Sequence, residues 1–142
     1  GGLLASDNYN LKPFFDRGGK MIMWHGWSDP QVPAEGSIIY YEGVRRTVGA
    51  AADEALSLYM LPGVLHCRGG PGADTFDGMA AITAWVERGE KPARLVASKL
   101  NAGKVVSTRT ICPFPQTARY SGSGDTSDAA NFSCSGAATA RR

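Results

Sequence analysis

The stretch Lys20-Met-Ile-Met-Trp-His-Gly-Trp-Ser-Asp-Pro30 constrains this chain more than any other. Met21 to Trp24 is short and fully apolar, Gly26 breaks the run, and Asp29 is held between Ser28 and Pro30. The pattern reads as a buried strand that delivers a carboxylate to the loop at its C-terminal end. In open α/β sheets, that edge is where ligands and reactive groups gather. A second loop, Leu61-Pro-Gly-Val-Leu-His-Cys67, offers His66 after another short apolar run.

Between these two runs, Ala34 to Val48 has helical spacing. Ile38, Tyr41, Val44 and Val48 fall on one face, and Gly49 follows as a cap. Strand, helix and strand (Lys20–His25, Ala34–Val48, Ala55–Met60) make a βαβ unit, which predicts parallel strands and a right-handed crossover. Upstream, Gly1 to Asn10 reads as irregular. Leu11 to Arg17 reads as one or two helical turns stopped by Gly18-Gly19. Ala50 to Glu54 reads as a linker. A helix is expected from Asp74 or Thr75 to Gly89, with Phe76, Met79, Ile82, Trp85 and Val86 as its apolar stripe. Leu95–Leu100 and Lys104–Thr110 around Asn101-Ala102-Gly103 predict a bulged hairpin. From Cys112 onward no regular element is expected. The fold class is α/β. Two parallel strands need covering on both faces and further strands beside them, so an upstream segment or a partner chain is expected to complete the sheet.

The 142 residues suit one domain. With 43% hydrophobic and 20% charged residues and a net charge of +2, the composition is globular. No basic stripe suggests nucleic acid. No apolar run approaches the roughly 20 residues that span a bilayer. There is no initiator Met and no signal peptide pattern, and the chain opens on Gly1-Gly2-Leu3-Leu4, as a processed product or an excised fragment would.

Three cysteines are present. Cys112 and Cys134 lie in a Gly/Ser/Asp-rich segment that cannot bury a core of its own. A disulfide between them would hold it, and would imply an oxidising compartment; the alternative is two unrelated thiols. Cys67, directly after His66, is left without a partner.

Asp29 after one strand and His66 after the next follow the last two places of a Ser…Asp…His chain order. Alone, Asp29 would equally be a turn-former beside Pro30, and His66 a solvated loop histidine. Their joint placement after neighbouring strands favours function. His25, at the end of the apolar run, reads as a hydrogen-bonded histidine shaping the strand end, with a substrate-facing role as the alternative. A nucleophile is missing from the pattern. No serine stands in a Gly-x-Ser-x-Gly elbow. Ser28 shares the loop of Asp29. Ser6, Ser37, Ser57 and Ser98 lack a strand–turn–helix setting, and the side chain of Cys67 should point away from the ring of its neighbour His66. No His-x-x-x-His, Cys-x-x-Cys or calcium-loop spacing argues for a metal; Asp125 and Asp128 read as a solvated turn. Asn131-Phe-Ser133 fits the glycosylation sequon, which matters only in a eukaryotic secretory route.

These motifs together resemble the C-terminal part of the tannase / feruloyl esterase family of secreted serine esterases. The resemblance runs from about Leu11 to Cys134. It rests on Arg17 to Pro30, on Val64-Leu-His-Cys-Arg-Gly-Gly-Pro-Gly72, on Cys112-Pro-Phe-Pro-Gln-Thr-Ala-Arg-Tyr120 and on Asp128-Ala-Ala-Asn-Phe-Ser-Cys134. It implies the C-terminal part of an α/β-hydrolase fold, incomplete as given. Residues 1–92 would carry the acid and base loops of the core, and residues 93–142 the hairpin and the disulfide-closed tail of the same domain. Asp29 would be the triad acid and His66 its base. Cys67 would pair with a cysteine beside a serine nucleophile in an upstream segment, and Cys112 with Cys134 as the terminal disulfide. Oxyanion hole, lid and lid calcium would also lie upstream, so no cofactor is expected in this chain. The implied partners are a small aromatic ester as substrate and the N-terminal segment of the same enzyme, with no nucleic acid and no membrane. The implied reaction is hydrolysis of galloyl, feruloyl or similar esters, with terephthalate monoesters as a related class, in a secreted or periplasmic setting. The alternative of another kind is a non-catalytic folding or binding remnant.

Overall fold

The computed structural model describes residues 7–136. Its organising element is a parallel pair, β1 (Met21–Gly26) and β2 (Leu56–Leu61), in register from Met21 opposite Leu56 to Gly26 opposite Leu61. Every residue of β2 is buried. Alternate side chains of a strand point to opposite faces, and both faces of β2 are used. Leu56, Leu58 and Met60 join Tyr41, Val44, Ala52, Ala55 and Phe15 in one apolar cluster. Tyr59 and Leu61 join Val64, Ala73, Leu95, Ala97 and Ile111 in another. Two-sided burial explains why β2 reads as a continuous apolar stretch. β1, expected to be a buried strand, is only half-buried among the described residues, with Trp24 exposed, because no further strand pairs with its other edge here. The hydroxyl of Tyr59 donates to the carbonyl of Pro92 at 2.5 Å. Burial pushes the phenol up to about 12, against a smaller opposing effect of Ser57.

The short α1 (Lys12–Phe15) buries Phe15 and ends before Gly18, whose φ of 83° is left-handed. The crossover helix α2 spans Ala34–Val48, as its spacing predicts, and buries Ala34, Tyr41, Gly43 and Val44. The expected linker after it is instead a helix, α3 (Ala50–Ala55). Gly49, at φ 75°, breaks α2 and lets the chain restart. An alanine-rich run of high helix propensity follows, anchored by buried Ala52 and Ala55 and by an Arg45–Asp53 ion pair at 2.7 Å.

The next helix, α4 (Gly78–Arg88), begins later than expected. Its cap is Asp77, which accepts the N–H of Ala80 at 2.8 Å. Thr75 is extended and exchanges backbone hydrogen bonds with Ser98 at 2.7 and 3.1 Å, which holds Asp74 and Thr75 out of the helix. Phe76 therefore lies outside α4 and stands edge-on to Trp24, with ring centroids 5.6 Å apart. Of the expected stripe, Trp85 is buried, whereas Met79 is 74% exposed and Val86 is exposed as well. Gly89 caps the helix in the left-handed conformation.

The hairpin β3 (Leu95–Asn101) and β4 (Lys104–Ile111) carries the expected bulge, between Lys99 and Leu100. The tail is more regular than its composition suggests. β5 (Thr117–Tyr120) and β6 (Phe132–Ser135) pair antiparallel, with a 3-10 turn at Ala129–Asn131 before β6. Cys112 and Cys134 form a disulfide. Backbone pairing organises this segment: Ala118 lies opposite Cys134, and the hydroxyl of buried Thr110 donates to the carbonyl of Ala129 at 2.9 Å. Asp125 and Asp128 do form a turn, accepting the N–H groups of Ser127 and Ala130. Among the described residues no helix is long and apolar enough to cross a membrane.

Candidate active site

Because Gly26 pairs with Leu61, the loops after β1 and β2 leave the sheet side by side. A side chain at position 26 would run into the carbonyl oxygens of Val64 and Leu65, so only glycine lets the two loops approach this closely. Backbone hydrogen bonds then join them: Trp27 N–H to the Leu61 carbonyl at 2.9 Å and Ser28 N–H to the Val64 carbonyl at 3.0 Å. The second loop is braced by Gly72 N–H to Gly63 carbonyl at 2.9 Å and Leu65 N–H to Gly69 carbonyl at 3.2 Å. Asp74 accepts the N–H of Gly69 at 2.8 Å, and Lys99 donates to the Gly70 carbonyl at 2.6 Å. The Gly69 N–H, helped by the charge of Lys99 and opposed by burial, holds the Asp74 carboxyl below its usual range.

This frame brings Asp29 and His66 together across 37 residues, with His66 Nδ1 at 2.8 Å from Asp29 Oδ2. The Asp29 side chain is 3% exposed and that of His66 is 43% exposed. The other oxygen, Oδ1, accepts the backbone N–H groups of Gln31 at 2.8 Å and Val32 at 3.0 Å. Burial alone would raise the Asp29 pKa. The N–H groups of Val32 and Gln31, and the hydrogen bond and charge of His66, outweigh it and hold the carboxyl far below the usual carboxylate range. An ionised Asp29 accepts only, so His66 carries its proton on Nδ1 in the neutral ring. Nε2 is then the basic nitrogen, and no described residue hydrogen-bonds it. An imidazole oriented by a buried carboxylate, with its second nitrogen open, is fitted to take and return a proton.

His25 belongs to the same constellation. Its Nε2 lies 3.2 Å from Asp29 Oδ2 and 3.2 Å from the Val32 carbonyl, and its Nδ1 lies 2.7 Å from Ser37 Oγ. The expectation of a hydrogen-bonded histidine at the strand end matches what is seen. That its partner is Asp29 is not evident from the residue types, although a residue ending β1 four places before Asp29 stands at the same sheet edge. Ser37, in the first turn of α2, is turned toward His25, which accounts for it without a nucleophilic role. Ser57 is buried inside β2, and Ser98 in β3 pairs with Thr75. Ser6 lies outside the described residues. No serine hydroxyl among the described residues hydrogen-bonds His66.

Cys67 is an exposed free thiol at φ 59°, a left-handed conformation uncommon for a residue with a side chain. It helps line a depression of about 590 Å³ together with Met21, Trp24, Phe76, Met79 and Ile82. Among the described residues no group of His, Cys, Asp and Glu side chains is arranged to hold a metal ion.

Comparison with known proteins places this geometry in context. The family model described as tannase and feruloyl esterase matches residues 2–135. The chain belongs to the tannase and feruloyl esterase family. It is 46% identical over 128 residues to a mono(2-hydroxyethyl) terephthalate hydrolase of Piscinibacter sakaiensis, covering 88% of this chain and 21% of that protein. It is 33% identical over 125 residues to a tannase of Aspergillus oryzae, covering 80% of this chain and 21% of the relative. The crystal structure of feruloyl esterase B from Aspergillus oryzae superposes with a TM-score of 0.80 at 29% identity, over 91% of this chain and 29% of that one. The chain thus spans between a fifth and a third of the length of these family members.

Proposed function

We propose that these residues form the acid- and base-bearing C-terminal part of an α/β-hydrolase-type serine esterase acting on esters of aromatic acids. The supporting observation is the hydrogen bond from His66 Nδ1 to Asp29 Oδ2, with Oδ1 fixed by two backbone N–H groups and Nε2 of His66 left open. In this reading the serine stands on a segment of the protein outside these residues. His66 Nε2 takes the serine's proton as the hydroxyl attacks the ester carbonyl, then gives it to the departing alcohol. Water, activated by the same nitrogen, hydrolyses the acyl-enzyme. Asp29 stays ionised throughout, orients the ring and stabilises the imidazolium that forms twice per turnover. Cys67, exposed beside His66, would pair with a cysteine next to that serine and draw the two loops together. The disulfides would place the protein in a secreted or periplasmic setting. Any lid and lid calcium would belong to the outside segment.

Within the aromatic esters, identity to the terephthalate monoester hydrolase favours a terephthalate monoester over a gallate or ferulate. The test is turnover of mono(2-hydroxyethyl) terephthalate, methyl ferulate and methyl gallate by the complete protein carrying this chain. His66→Ala should lower kcat by about three orders of magnitude or more. Esterase activity of residues 1–142 by themselves, or full activity of the His66→Ala variant, would overturn the proposal.

A further inference from the structure

We infer that His25 is a positioning residue for the Asp29 carboxylate, itself held at its other ring nitrogen by Ser37. The inference rests on the proposed roles of Asp29 and His66 and adds a residue to them. The geometry fixes a proton on Nε2 of His25. Both neighbours of its Nε2, Asp29 Oδ2 and the Val32 carbonyl, are acceptors, so Nε2 must carry a proton. In the neutral ring Nδ1 is then an acceptor, and the Ser37 hydroxyl donates to it at 2.7 Å. Neither nitrogen remains for a substrate. With its side chain only 12% exposed, His25 is a structural partner of the carboxylate and not a second base.

Its effect falls on the oxygen that His66 uses. A carboxylate has about four lone-pair sites, and at Asp29 each is matched by a donor: Gln31 and Val32 N–H on Oδ1, His66 and His25 on Oδ2. The donors on Oδ1 are both backbone groups of the same short loop, so by themselves they leave the far side of the carboxylate free to rock. His25 holds that side. It also grips Val32 through its carbonyl while Val32 N–H grips Asp29, which closes the Asp29 loop onto the end of β1. Ser37, from the first turn of α2, holds Nδ1 of the same ring and so ties the carboxylate, through His25, to the crossover helix. Side chains that orient a reacting group from behind matter because a misplacement of about 1 Å costs up to about 100-fold in rate.

The test compares His25→Leu, His25→Gln and Ser37→Ala in the complete protein. Two readouts are used: kcat and KM on the three esters named above, and the NMR resonance of the His66 Nδ1 proton. His25→Leu should lower kcat about 10- to 100-fold with KM nearly unchanged, and should broaden the Nδ1 proton through faster exchange with water. His25→Gln presents an amide N–H to the same oxygen and should recover most of both signals. Ser37→Ala should lower kcat several-fold in the same direction. Wild-type kcat and an unchanged Nδ1 resonance in His25→Leu would overturn the inference, as would a His25→Gln protein impaired as badly as His25→Leu. If His25→Leu does not fold, the decision passes to Ser37→Ala, and an unchanged kcat and resonance there count against it. If the wild-type protein hydrolyses none of the esters, the proposed function fails, while the resonance in the three variants still decides the role of His25.

Discussion

Asp29→Asn is the substitution whose consequences the structure defines most closely. The new side chain has the same shape, but its two ends are no longer equivalent. The backbone N–H groups of Gln31 and Val32 demand an acceptor, so the amide oxygen must take the place of Oδ1. That turns the amide NH2 toward His66 Nδ1 and His25 Nε2, which lie opposite the position of Oδ2. A donor facing His66 Nδ1 selects the tautomer protonated on Nε2, and that nitrogen can no longer accept a proton. Loss of the correct tautomer with intact geometry costs about 10⁴-fold in kcat in serine proteases, which is about 5 kcal/mol of barrier at about 1.36 kcal/mol per decade. The NH2 also meets the N–H of His25, so His25 keeps only the Val32 carbonyl. The assay is kcat on an aryl ester in the complete protein, with the tautomer of His66 read by nitrogen NMR. Stability should lose the part of its acid dependence that Asp29 contributes, while that of other depressed carboxyls such as Asp74 remains. The folded-state pKa of Asp29 is depressed, so its contribution is present above the ordinary carboxylate pKa and lost as pH falls through the folded value. The amide has no such limb. An Asp29→Asn protein within tenfold of wild type, or one whose His66 still carries its proton on Nδ1, would refute the reasoning.

Two further outcomes test the frame rather than the dyad. Replacing Cys112 and Cys134 by serine opens a loop of 22 residues and should cost about 3 kcal/mol in the chain-entropy account; a urea midpoint that barely moves would show that β5, β6 and the Thr110 hydrogen bond hold the tail without the crosslink. Gly26→Ala puts a methyl group against the Val64 and Leu65 carbonyls and should cost about 1–3 kcal/mol by overpacking, with kcat falling because the loops that carry Asp29 and His66 are forced apart. Unchanged melting temperature and rate would mean the two loops do not depend on this contact.

The parts of the fold set by side-chain burial are legible in the sequence. α2 begins and ends where its apolar spacing says, and β2 stands out because two-sided burial leaves little that is polar in it, while β1 shows the same apolar run although it is only half-buried here. Elements set by backbone pairing or by short-range conformation are not. β5 and β6 alternate apolar and polar residues, but over four positions each and inside a Gly/Ser/Asp-rich segment the alternation is too short to stand out, and the pairing of Thr75 with Ser98 delays α4 by satisfying backbone groups of residues that look like a helix start. α3 is obscured because Gly49 reads equally as the end of one helix and as the hinge before another. Asp29 and His66 are visible through their positions after successive strands. The acceptance of the Gln31 N–H by Asp29, two residues on, is the turn-forming habit of aspartate that its place beside Pro30 suggests; that the same carboxylate also meets His25 depends on how the loop folds back onto the end of β1. Met79 illustrates the converse: it keeps the helical apolar spacing yet lies on the surface of the described chain.

The site depends on the core through one geometric quantity, the register of β1 against β2. Successive side chains of a strand face opposite ways, so a slip of one residue would reverse every side chain of β1 and carry His25 to the far face, away from Asp29. What resists that slip is the packing of Met21 and Met23 against the α2 cluster and of Ile22 against the opposite one. Gly26 adds a second lock, because it is the only position in β1 where the chain lacks a side chain to collide with the Val64 and Leu65 carbonyls. The distance of 2.8 Å between His66 and Asp29 is therefore a consequence of methionine and isoleucine packing several residues upstream. The apolar run and the carboxylate that follows it act as one unit: the first sets the register, and the register sets where Asp29 meets His66.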